Sequence, residues 1–92
     1  MNKTDLDYLL GKIGKAIFVR YFHEFGNPNI SNQHVIDLLP HDYTFKSRTS
    51  RTAKARRIFR EGLEGTALSI IASSERFDPD AANKARALLS DL

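Results

Sequence analysis

From Thr4 to about Phe25, apolar residues recur at three- and four-residue intervals. Leu6, Leu9, Leu10, Ile13, Ala16, Ile17 and Tyr21 share one face, which predicts a helix over 4–25. Thr4 is placed to cap it, and Asp5 and Asp7 in the first turn oppose the helix dipole. Phe18, Phe22 and Phe25 form a second stripe beside the first. The stretch from Ala16 to Phe25 is therefore apolar on most of its circumference, as expected of a segment buried on two sides. The run Gly26-Asn27-Pro28-Asn29 stops it.

Ser31 opens a short second helix, 31–39, bearing Val35, Ile36, Leu38 and Leu39. Pro40 closes it. His41 to Lys46 reads as a connector in which Tyr43 and Phe45 alternate with polar residues, with no partner strand in view. Ser47, Thr49 or Ser50 caps a third helix, 49–73, with Ala55, Ile58, Phe59, Gly62, Leu63, Thr66 and Ile70 facing inward. Gly62 and Gly65 either break it or, with Gly11 and Gly14, permit a close helix crossing. Beyond Gly65, Ala67, Leu68, Ile70, Ile71 and Ala72 surround the axis, which places this half at the centre of the fold or in a subunit interface. Asp78-Pro79-Asp80 starts a last helix, 79–91, with Ala82, Ala85, Leu88, Leu89 and Leu92 as its stripe. The expected class is all-α: one domain, 1–92, of about four helices, with the first and third as its spine.

Composition adds exclusions. The chain has no cysteine, which removes disulfides, thiol chemistry and cysteine-based metal sites. No apolar run is long enough to span a membrane, and the first residues lack a signal-peptide pattern, so a cytoplasmic protein is expected.

Charge changes the picture most. Of fourteen Lys and Arg, seven fall within 46–60: Lys46, Arg48, Arg51, Lys54, Arg56, Arg57 and Arg60, with no acid among them. The other seven face all eleven acids, so the rest of the chain carries four net negative charges. An acidic body with one basic block is the footprint of a polyanion binder. Arg48, Arg51, Lys54, Arg57 and Arg60 are expected to supply charge, with Lys46 and Arg56 at the rim. Thr49, Ser50 and Thr52 are expected to donate hydrogen bonds near the helix start. The bland alternative is a solvated basic face whose hydroxyls only cap.

The order of a short helix, a connector and a basic helix is helix-turn-helix-like, although the connector exceeds the usual three or four residues. Gly11-Lys12-Ile13-Gly14 matches the Gly-x-x-Gly loop of KH domains in letters only, since no flanking strands are readable. His23, His34 and His41 have no metal-ligand spacing. No nucleophile elbow or phosphate loop appears, so no enzyme activity, cofactor or metal is expected. The leading expectation is a DNA- or RNA-binding protein. The alternative is a helical protein-interaction module with an acidic partner, dimeric through Leu68 and Ile71.

Overall fold

The computed structural model describes residues 1–92. It is all-helical, with 72% of residues in seven helices. These are α1 (Lys3–Ile13), α2 (Lys15–Arg20), α3 (Phe22–Gly26), α4 (Asn32–Leu38), α5 (Phe45–Arg60), α6 (Glu64–Ala72) and α7 (Pro79–Ser90). The expected four-helix count is corrected by three breaks. Gly14 takes φ 92°, Tyr21 leaves the helical region at φ −109° and ψ 24°, and Gly62 takes φ 69°. The first two divide the long N-terminal helix into α1, α2 and α3, and the third separates α5 from α6.

The breaks follow from the excess of apolar circumference noted above. A straight helix from 4 to 25 would have to bury two stripes against neighbours on both sides. Bent at Gly14 and Tyr21, its three segments pack at different angles: α1 on α5 and α6, α2 on α7, and α3 on α5. Glycine at position 14 makes the first bend cheap, because a positive φ costs it no Cβ clash. The glycines do not meet one another in a close crossing, contrary to the second expectation for them. A Cβ at Gly11 or Gly62 would meet nothing within 4 Å, one at Gly14 would meet the side chains of Arg51 and Ile17, and one at Gly65 that of Leu92.

The caps are mostly as the residue types require. Ser31 accepts from the His34 N–H and Asp78 from the Ala81 N–H. Two starts are corrected. Asn2, not Thr4, caps α1 by accepting from the Asp5 N–H at 2.8 Å, and Thr44, not a residue of 47–50, caps α5 by accepting from the Ser47 N–H. Helix α5 therefore begins four residues earlier than expected and absorbs Phe45 and Lys46.

The core joins nineteen buried residues. At its centre Phe18 packs edge-on to Phe22 and stacks with Phe25 and Phe59 at centroid separations of 5.7, 6.2 and 5.9 Å. Leu68 and Ile71 are fully buried here as well. The dimer interface expected through them is therefore corrected: the apolar surplus of α6 is used inside the monomer. Their burial became possible because the Gly62 break lets α6 lie along α7.

One glycine is fixed by a close approach. A Cβ at Gly26 would lie 2.6 Å from the Phe59 ring, which Phe18 and Phe22 hold from the other side. Gly26→Ala is expected to lower stability by about 1–3 kcal/mol through overpacking, despite the better helix propensity of alanine. Urea unfolding would read this as a lower midpoint with an unchanged slope. A neutral or stabilising result would mean that the Phe59 ring swings freely.

Candidate nucleic-acid interface

The basic block lies almost wholly on α5, a sixteen-residue helix. Beyond Phe45, its exposed positions Lys46, Thr49, Ala53, Arg57 and Arg60 are separated by three, four, four and three residues. That spacing puts them on one stripe running the length of the helix, about 24 Å. Ser50 and Lys54 flank the stripe, half-buried. The Lys54 ammonium donates to the Ser50 hydroxyl, which leaves the Ser50 proton free to donate outward. Thr49 instead gives its hydroxyl proton to the Phe45 carbonyl at 2.9 Å, so it presents only acceptor capacity. At the start of the stripe the backbone N–H groups of Phe45 and Lys46 have no partner within the chain.

Arg48, Arg51 and Arg56 point the other way and do structural work. The Ile36 carbonyl near the end of α4 would receive an N–H from the residue four positions on, but that residue is Pro40, which has none. Arg48 supplies it, with Nη1 donating to Ile36 O at 3.0 Å and Nε to Tyr43 O at 3.3 Å. Pro28 stands in the same relation to Glu24 at the end of α3. There the Asn27 N–H and Arg56 Nη2 reach the carbonyl at 3.3 and 3.5 Å, and Arg56 also donates to Ile30 O at 3.0 Å. The Gly14 break strands the Ile13 carbonyl, which accepts from Arg51 Nη1. Arg51 further donates to the Ser47 hydroxyl and lies over the Tyr43 ring at 4.0 Å. Arg86 repeats the device at the end of α6, donating to Ala72 O at 3.1 Å. Long cationic forks thus satisfy helix ends that turns leave open.

Several site expectations are corrected accordingly. Arg48 is 9% exposed, and Thr52 is buried at 1% with its hydroxyl unpartnered, so neither reaches a ligand surface. Arg51 and Arg56, half-buried, are tied to carbonyls. Tyr43 is covered by Arg51, while Phe45 beside Lys46 is 56% exposed.

Comparison with known proteins finds no match. No protein family, curated sequence or solved structure resembles this chain at a significant level.

A bond to a carbonyl satisfies a guanidinium's donors without cancelling its charge. Of the seven cations only Arg57 meets an acid: Nε donates to Glu61 Oε2 at 2.8 Å. That hydrogen bond, with the Arg57 charge and the nearby N-terminal amine, holds the Glu61 carboxyl below its ordinary range. The outer face of α5 therefore keeps a positive field along its whole length, with one carboxylate at its C-terminal end.

No group of three or more His, Asp or Glu side chains is arranged to hold a metal ion. No helix is long and apolar enough to cross a membrane.

Proposed function

We propose that this protein binds nucleic acid by phosphate contacts along the outer face of α5. The observation that carries this reading is the stripe itself. Lys46, Arg57 and Arg60, flanked by Lys54 and Ser50, are aligned on one exposed helix face over a chain that is otherwise net acidic. The inward arginines add positive potential behind it. The unpartnered N–H groups of Phe45 and Lys46 add donors at the positive end of the helix dipole. Helices α4 and α5, joined by the connector 39–44, keep a helix-turn-helix-like order, with α5 as the element laid against the polyanion.

The test is a salt titration on labelled oligonucleotides. Log K is expected to fall steeply with log salt as counterions are released. The combined change of Lys46, Arg57 and Arg60 to Gln is expected to flatten that slope by about three units, one for each phosphate no longer neutralised. Absence of binding at low salt, or a slope indifferent to the three changes, overturns the proposal. If the same variant instead loses an acidic protein partner, the stripe serves protein recognition.

A further inference from the structure

Phe77 is the most exposed large apolar side chain of the protein, 87% open to solvent in the turn between α6 and α7. Its backbone is nonetheless fixed. The N–H groups of Phe77 and Asp78 both donate to the Ser74 carbonyl, at 2.9 and 3.0 Å. The Ser74 hydroxyl accepts from Lys15 Nζ at 2.8 Å, and the Asp78 carboxylate caps α7. An aromatic ring held out on such a backbone leaves its burial unused in the monomer, and little backbone entropy is left to lose when something covers it.

Directly beside it, a groove of about 450 Å³ runs between α2 and the first turns of α7. Its apolar surface comes from Ala16, Val19 and Ala81. Its rim carries both signs of charge, Arg20 and Lys84 with Asp78 and Asp80. The ion pairs within the chain join the N-terminal amine to Glu61, Arg57 to Glu61 and Arg86 to Glu75, so all four rim charges are left without an ionic partner.

We propose that this face is an isologous homodimer contact, in which Phe77 of each copy enters the groove of the other and the rim cations of one meet the rim acids of the other. Asp78 belongs to the groove and is joined to Phe77 by a peptide bond, so ring and groove are neighbours on one surface. A two-fold axis passing between them seats both rings at once. A rim with two cations and two carboxylates is self-complementary under that rotation, whereas a strongly basic or acidic partner would be repelled by half of it. Leu68 and Ile71 are used up by the core, but Phe77 is not. Helix α5 packs on α1, α3, α4 and α6, while the groove is built on α2 and α7. The pairing therefore uses no residue of the basic stripe and does not depend on what α5 binds.

The experiment is sedimentation of the full chain over a range of about 5–500 μM, since a contact with one aromatic anchor per copy belongs to the small, weak class of interfaces. The mass is expected to rise with concentration toward that of a dimer. Phe77→Ala is expected to weaken pairing about tenfold or more, while its unfolding midpoint in dilute solution matches the parent, because the ring touches little of its own chain. Asp80→Lys makes the rim mainly cationic, and Arg20→Glu with Lys84→Glu makes it wholly acidic. Each is expected to pair with itself about fivefold more weakly than the parent does, and an equimolar mixture of the two to recover pairing. A monomer at every concentration overturns the proposal. So does a dimer that Phe77→Ala leaves unchanged, or a mixture that pairs no better than either rim variant alone.

Discussion

Phe18→Ala is expected to lower the free energy of unfolding by about 3–5 kcal/mol, the largest effect of any single change in this protein. Phe18 is fully buried, and its ring touches the rings of Phe22, Phe25 and Phe59, which arrive from α3 and α5. Truncation removes the burial of an aromatic side chain and the aromatic contacts that go with it. It also leaves a cavity that cannot close easily. Phe59 is carried by the rigid α5, and Phe22 and Phe25 are fixed on α3 by the turn that follows. A domain of this size has about 5–15 kcal/mol in all, so the variant would lose about a fifth or more of its stability. Urea unfolding followed by circular dichroism gives the number. A loss below about 1.5 kcal/mol would show that the cluster collapses onto the space and is not held rigidly.

Arg48→Ala is expected to be the second most damaging change, at about 2–4 kcal/mol. The arginine is nearly buried and bridges the Ile36 and Tyr43 carbonyls. No backbone N–H is available to replace it at Ile36, because Pro40 sits at the required position. Removing the side chain leaves two acceptors short of donors and takes away the tie between the end of α4 and α5. Arg57→Ala, on the same helix but exposed and paired only with Glu61, is expected to cost under about 1 kcal/mol. Arg48→Lys keeps the charge but lacks the fork that reaches both carbonyls, and should recover less than half the loss. The measurement is a side-by-side unfolding series. Equal costs at 48 and 57 would refute the internal role of Arg48.

The all-helical class, the caps at Ser31 and Asp78, the stop after Phe25 and the aromatic core were legible from periodicity and capping chemistry. The packing of α1 on α5 followed from their stripes. The breaks at 14, 21 and 62 were not legible, because hydrophobic spacing runs through them without interruption. Gly14 and Gly62 were visible as weak points, but only tertiary packing decides whether a weak point bends. The start of α5 was missed because Tyr43 and Phe45 imitate a strand alternation around Thr44, which is the cap.

The division of the basic block into inward and outward residues was also hidden, since a charge count has no direction. Two signals for it were present. Pro28 and Pro40 each stand four residues after a helix-end carbonyl and strip it of its backbone donor. A buried cation elsewhere in the chain is one remedy for such a carbonyl. The helical wheel of α5, once its limits are known, sets 48 and 51 about 150° from the stripe of 46, 57 and 60, and places 56 at the edge of the outer arc.

Helix α5 therefore has two readers, one inside and one outside, and both count its residues. Deleting or inserting a single residue between Arg48 and Arg56 would rotate everything beyond it by about 100°. Such a change would lift Arg56 off its carbonyls and scatter the external lysine and arginines in one event. The helix can accept exchanges of side chain at its solvent positions, but its length is locked from both faces.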